Sequence, residues 1–306
     1  MALHPQAARF RQQWLALGPP RTERSTPEEI RAVMRGAIAV NAIAVPGVET
    51  EEAAFSGPAG PLPVRVYRPS GGGTGRGVAF IHGGGWVAGD LDTHDALCRA
   101  LAAAGEAVVA SVDYRRAPEH RFPAALDDAY AVLQQFAAEA PRWGVDARRI
   151  AVAGDSAGGN LAAAVCLMAR DRGKHVPAQQ LLIYPIVSAE FSTPSYARYE
   201  DGYVLTRRAM EWFWDQYAPA IADRAHPYAT PLHADLAGLP PALVVTAGHD
   251  VLCSEGAAYA ERLAASGTPA EYFDYPGMLH GFLHRLSMFD DARDLVARLG
   301  RFLQAL

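Results

Sequence analysis

Short apolar runs alternate with longer amphipathic stretches from Val78 onward, and no other feature of the 306-residue chain narrows its fold as far. VAFIH and VVASVDY come first, followed by a helix over Ala124 to Ala138 and the run RIAVAG. A helix through Ala164, then QLLIYP, ALVVTAG, a helix through Leu263, AEYFDYP and a last helix after Phe289 continue the series. Strands that are apolar throughout are buried on both faces, which requires helices above and below them. The pattern therefore predicts an α/β fold with a mostly parallel sheet flanked by helices.

Ahead of this series, residues Glu51 to Phe55 and the alternating LPVRVY of Leu62 to Tyr67 read as two strands joined by a Gly/Pro turn, extending the sheet at one edge. Thr26-Pro27-Glu28-Glu29 supplies an N-cap, a first-turn proline and a capping-box glutamate, so a helix starts there and runs into IRAVMRGAIAV. Phe10 to Leu17 reads as another helix. The glycine-rich patch SGGGTGRG, Ser70 to Gly77, lacks the Gly-Lys-Ser/Thr ending of a phosphate loop and reads as a flexible turn. Between Ser188 and His233 the rhythm breaks for longer than a plain loop allows. That segment holds YVLTRRAMEWFWDQYA, read as a helix crowded with Trp212, Phe213, Trp214 and Tyr217. Two readings stay open for these aromatics: a core stripe, or a cap over the strand ends that the N-terminal helices complete. The expected organisation is N-terminal helices at 1–45, an α/β core at 46–187 and 234–306, and a cap insertion at 188–233.

Half of the residues are hydrophobic and 20% are charged, which suits a globular chain with a large core. A formal net charge of -5 gives no electrostatic ground for nucleic acid or an anionic membrane as partner. Cys98, Cys166 and Cys253 form no C-x-x-C pattern, so neither a disulfide framework nor a thiolate metal site is expected. Arginines and glutamines interrupt the N-terminus where a signal peptide needs an unbroken apolar stretch, and no later segment approaches membrane-spanning length. The expected setting is cytoplasmic.

Gly154-Asp155-Ser156-Ala157-Gly158 matches G-x-S-x-G, a turn that holds serine between a strand and a helix with small residues around it. IAVAG before it and the alanine-rich run after it supply that strand and helix. A serine hydroxyl needs a base to take its proton and a third group to orient the base. On this architecture the order is serine, carboxylate, histidine, each on a loop after a strand. Asp250 follows ALVVTAG and His280 follows AEYFDYP. Of the ten histidines, His82, His94 and His120 precede the serine, His175, His226 and His233 lack the strand-then-loop context, and His4 lies near the terminus. His249 reads as a surface loop residue, His284 as a weaker alternative base explained by packing, and Glu255 as the fallback carboxylate in the first turn of a helix. Oxyanion donors are expected from Ala157 and from the loop His82-Gly83-Gly84-Gly85 after VAFIH.

Together these motifs resemble the bacterial hormone-sensitive-lipase-like esterases of the α/β-hydrolase superfamily. The resemblance runs through VYRP, HGGGWVAGDLDTHD, SVDYRRAPEHRFPAALDDAY, GDSAGGNLAAA, LLIYP and HGF. It implies an eight-stranded sheet, a helical cap, no metal or cofactor, a homodimer, and hydrolysis of short- to medium-chain carboxylic esters through an acyl-enzyme. It would make Ser156 the nucleophile, Asp250 and His280 its partners, and Gly84, Gly85 and Ala157 the oxyanion donors, with Gly83 shaping their loop. Four positions depart from the family's pattern: Val251 follows Asp250 where proline is usual, Cys253 and Ser254 replace a charged pair, and Arg116 replaces a leucine. A related hormone receptor would have lost the histidine, so His280 favours an enzyme, while amide bonds remain open to the same machinery. No segment reads as an interfacial anchor, and the expected partner is a small-molecule ester.

Overall fold

The computed structural model describes residues 2–41, 43–71 and 74–306. Helix α1 (Pro5–Ala16) begins where His4 Nδ1 accepts the Gln6 N–H at 3.3 Å and Pro5 fills the first position. It starts earlier than Phe10 because its first turn, PQAAR, has too few apolar residues to register as periodic. At α2 (Pro27–Gly36) the capping box forms: Thr26 Oγ1 accepts the Glu29 N–H at 3.2 Å and Glu29 Oε2 accepts the Thr26 N–H at 2.8 Å. The helix stops at Gly36 and the short α3 (Ile38–Asn41) follows, so the expected single helix is two.

Strands β1 (Val48–Gly57) and β2 (Gly60–Pro69) pair antiparallel with Phe55 opposite Leu62 and Gly57 opposite Gly60, a longer hairpin than the sequence signalled. Gly72 and Gly73 of the glycine-rich patch lie outside the described residues. Then come β3 (Gly75–Ile81), α4 (Asp95–Gly105), β4 (Val108–Val112), α5 (Ala124–Ala138), β5 (Val145–Asp155), α6 (Ala157–Asp171) and β6 (Gln179–Ile183). The chain leaves the sheet here, carrying α7 (Pro194–Tyr199), α8 (Arg207–Tyr217) and α9 (Ile221–Arg224), and returns as β7 (Ala242–His249), α10 (Cys253–Ala265), β8 (Ala270–Leu279) and α11 (Asp290–Gln304). Helix α8 begins later than the aromatic-rich stretch suggested. Thr206 Oγ1 accepts the Ala209 N–H at 3.1 Å, and this cap leaves Tyr203 to Leu205 outside the helix.

The eight strands lie in the order β1-β2-β4-β3-β5-β6-β7-β8, with β2 antiparallel to both neighbours and every pairing from β4 to β8 parallel. Successive side chains of a strand point to opposite faces. In β5, Ile150 and Val152 accordingly join the core layer with α5 and α6, while Ala151 and Ala153 join the layer with α4 and α11. Both faces are covered, as unbroken apolar strands require. The parallel arrangement brings the loops after β3, β5, β7 and β8 to the same end of the sheet, where ligands of open α/β folds collect. Among the described residues, no helix is long and apolar enough to cross a membrane.

Candidate active site

Ser156 stands between the last residue of β5 and the first of α6 with φ 55° and ψ -120°, a left-handed backbone that a side-chain-bearing residue adopts only when its surroundings impose it. A Cβ on Gly154 would run into the Gly158 carbonyl, and one on Gly158 into the Ile81 carbonyl. Those two glycines let strand and helix close up around the serine. The Ser156 N–H donates to Ile183 O at 2.8 Å, fixing the turn to the end of β6.

The loops after β7 and β8 meet this serine. His280 Nε2 lies 3.0 Å from Ser156 Oγ, and His280 Nδ1 lies 2.6 Å from Asp250 Oδ2. An ionised carboxylate only accepts, so Nδ1 carries the hydrogen and Nε2 turns its lone pair to the serine hydroxyl. The Asp250 side chain is fully buried, and its Oδ1 accepts the Leu252 N–H at 3.1 Å. That contact holds the Asp250-Val251-Leu252 turn with valine in place of proline.

After β3, Gly84 and Gly85 have φ of 118° and 61°, positions that glycine occupies without strain. No backbone hydrogen bond is formed by the N–H groups of Gly84, Gly85 or Ala157 among the described residues. Gly83 differs: its N–H is taken by Asp155 Oδ1 at 3.0 Å and His94 Nε2 at 3.2 Å. Gly83 therefore shapes the loop and is not available as an oxyanion donor. Asp155 also receives His284 Nε2–H at 2.9 Å on its other oxygen. Burial opposes the Asp155 charge, yet the His284 and His94 imidazoles hold its carboxyl well below the usual carboxylate range. Burial lowers the His284 pKa, against the Asp155 contact that raises it. This carboxylate clamps the glycine loop to the turn that carries Ser156. The ligand-type atoms of His94, Asp155 and His284 lie within 4.8 Å of one another, the grouping among the described residues with the donor set for a metal ion, although His284 already bonds Asp155 and His94 Nε2 already accepts the Gly83 N–H.

A family model described as an alpha/beta hydrolase fold matches residues 78–284. The carboxylic ester hydrolase LipN of Mycobacterium tuberculosis is 44% identical over 79% of this chain and 67% of its own length. An ethyl acetate hydrolase of Pseudomonas putida is 39% identical over 79% of this chain and 78% of its own length. This chain belongs to the α/β-hydrolase family. Among solved structures, a thermostable esterase from Pseudomonas putida superposes on this hydrolase with a TM-score of 0.96 at 38% identity, covering 99% of this chain and 97% of the other. A hyperthermophilic esterase from the archaeon Pyrobaculum calidifontis gives 0.93 at 39% identity, over 100% and 99% of the two chains.

In this hydrolase Ser156 and His280 open onto a cavity of about 840 Å3, whose wall takes residues from the N-terminal helices (Trp14, Met34) and from the insertion (Leu205, Phe213). Phe213 presses on the glycine loop so closely that a Cβ at Gly85 would enter its ring. The next loop residue, Trp86, stacks on Tyr217 with centroids 4.2 Å apart and planes 6° from parallel. Trp214 and Tyr217 are fully buried while Trp212 and Phe213 are partly so, and Phe213 lines the cavity, so α8 gives one face to the core and another to the cavity wall.

One expectation changes, and three other positions gain their structural account. His249 is no surface loop residue: it ends β7, is buried, and packs against Tyr199 and Tyr203. Glu255 sits in the first turn of α10 as expected, but its Oε1 accepts the Val187 and Ser188 N–H groups at 2.8 and 3.3 Å, away from His280. Cys253 is partly buried, and desolvation raises its thiol pKa to about 11, so it is not a reactive thiolate. Arg116 reaches Gly89 O at 2.5 Å, bracing the glycine loop from outside. Spacing could not reveal Asn160, whose Nδ2 ties α6 to Ile186 O just before the insertion and to Ala229 O near its far end, at 2.9 Å each. Nor could it reveal Ser195, which exchanges hydrogen bonds of 3.1 Å with Ser254. Asp155 had one signal: a charged residue inside an otherwise small and apolar turn.

Proposed function

We propose that this hydrolase is a serine carboxylesterase for short- to medium-chain esters, with Ser156 as nucleophile, His280 as general base and acid, and Asp250 as the group that orients it. Hydrolysis of carboxylic esters is its activity. The observation that carries the reading is the continuous Asp250–His280–Ser156 contact at the floor of the cavity. As Ser156 Oγ attacks the ester carbonyl, its proton passes to His280 Nε2, and the Asp250 carboxylate stabilises the imidazolium that forms. The carbonyl oxygen, now negative, takes the uncommitted N–H groups of Gly84, Gly85 and Ala157, donors worth about 3 kcal/mol apiece to the barrier. His280 then protonates the leaving alcohol and activates the water that releases the acid.

The N-terminal helices at 1–45 and the insertion at 188–233 act in this reading as the cap, and their shares of the cavity wall support it. A mixed cavity of this size suits a small ligand. Three unpaired cysteines fit a reducing, cytoplasmic setting, and a homodimer completes the reading, with mass in solution as its check. The test is hydrolysis of p-nitrophenyl acetate, butyrate, octanoate and palmitate by the native chain beside Ser156→Ala. Turnover of the shorter esters that disappears in the variant is expected. Turnover that survives Ser156→Ala, or is highest on palmitate, refutes the assignment.

A further inference from the structure

Arg285 follows directly on His284 and lines the same cavity as Ser156. One face of its guanidinium covers the Phe10 ring at 4.2 Å, which accounts for the stem and for α1 docking at this point. Its donors are another matter. The side chain makes a single long hydrogen bond, Nη1–H to Gly281 O at 3.4 Å, and no carboxylate lies within ion-pair distance of it among the described residues. A guanidinium has five N–H donors in a planar fork that matches a carboxylate.

The other charges of the wall are accounted for. Arg207 faces Glu211 at 3.0 Å and Arg21 faces Glu23 at 3.7 Å, Asp155 is held by its histidines, and Arg208, Glu200 and Asp201 are exposed. Among the described residues, Arg285 alone is a partly buried cation that meets the cavity without a counter-ion. Burial lowers its pKa to about 10, and no neighbouring carboxylate offsets that effect. Such a charge is costly to keep unless something supplies its partner.

We propose that Arg285 is an anion subsite of the ester pocket, selecting substrates that carry a free carboxylate away from the scissile ester. This rests on the carboxylesterase reading and narrows it to half-esters of dicarboxylic acids or to esters of hydroxy acids. The planar fork suits a carboxylate bound through two parallel hydrogen bonds.

The test measures kcat/KM of the native chain on monoethyl succinate, glutarate and adipate, and on the acetyl esters of glycolate and 4-hydroxybutyrate, each against a neutral ester of equal length. The first set carries the carboxylate on the acyl side, the second on the alcohol side. Expected is a preference of about 10-fold or more for the anionic member of at least one set, through a lower KM that rises with added salt. In Arg285→Met that ratio falls to near one, and Arg285→Lys retains part of it. A native ratio at or below one in both sets, or a ratio that Arg285→Met leaves intact, overturns the proposal. If Arg285→Met does not fold, Arg285→Lys and the salt dependence of the native chain decide it. Failure to hydrolyse the neutral esters as well would instead defeat the esterase reading itself.

Discussion

Every residue from Ile150 to Ala169 is buried, through β5, the serine turn and α6, whereas α8 buries only Ala209, Met210, Trp214 and Tyr217 of its eleven residues. The two regions face each other across the cavity but are held differently. Around Ser156 the backbone itself is locked, by glycines that admit no Cβ and by the Asp155 clamp on Gly83. The insertion and the N-terminal helices are held by side chains: Trp214 and Tyr217 against Trp86, and Arg31 of α2 against Glu119 at 2.7 Å. In the proposed reading, a rigid floor under a side-chain-packed roof separates the chemistry, which tolerates little displacement, from substrate selection, which can be retuned residue by residue.

This contrast fails or sharpens with three measurements. The largest effect is expected in the floor. His280→Ala should lower kcat by about 10⁴-fold or more, and His280→Ala combined with Ser156→Ala should be hardly worse than either alone, since groups acting as a unit are non-additive. Independent, multiplying losses in the double variant would break the idea of one contact chain.

In the roof, Phe213→Ala removes the ring that covers Gly85. It should lower kcat/KM by about 10-fold, with the loss depending on acyl length, because the floor stays in place while the wall widens. A loss as large as that of His280→Ala, and equal on all esters, would mean that Phe213 positions the glycine loop rather than the substrate.

The smallest effect lies at the joint, where the chain leaves β6 and Glu255 receives Val187 and Ser188. Burial raises the Glu255 pKa well above its ordinary 4.5, so the folded chain keeps a proton there that the unfolded chain releases. Stability from this group is present below pH 4.5 and declines as pH rises toward the folded-state value. Glu255→Gln keeps the accepting oxygen and removes that decline, so its melting temperature relative to the native chain should climb by about 1–3 °C between pH 5 and pH 8. A difference independent of pH would show that Glu255 is ionised in the fold.

The floor is largely legible in the amino-acid sequence. The apolar runs mark β3 to β8 because a strand buried on both faces needs apolar residues throughout, and G-x-S-x-G with the loops after ALVVTAG and AEYFDYP places Ser156, Asp250 and His280. What escapes is whatever depends on partners remote along the chain. His94 precedes the serine and so falls outside the expected order, yet it reaches Asp155 across the sheet end at 3.3 Å. His249 reads as exposed beside Asp250 and is covered by Tyr199 and Tyr203. The start of α1 is invisible because its first turn has no apolar period.

The sequence alone determined the strand series, the serine turn and the order in which Ser156, Asp250 and His280 arrive, because these follow from local periodicity, glycine sterics and chain order. Only the tertiary structure decided which of Gly83, Gly84 and Gly85 keep their N–H groups free, which face of α8 looks into the cavity, and that Arg285 meets it without a counter-ion. Those outcomes depend on groups brought together from distant parts of the chain, and neither periodicity nor spacing records such distances.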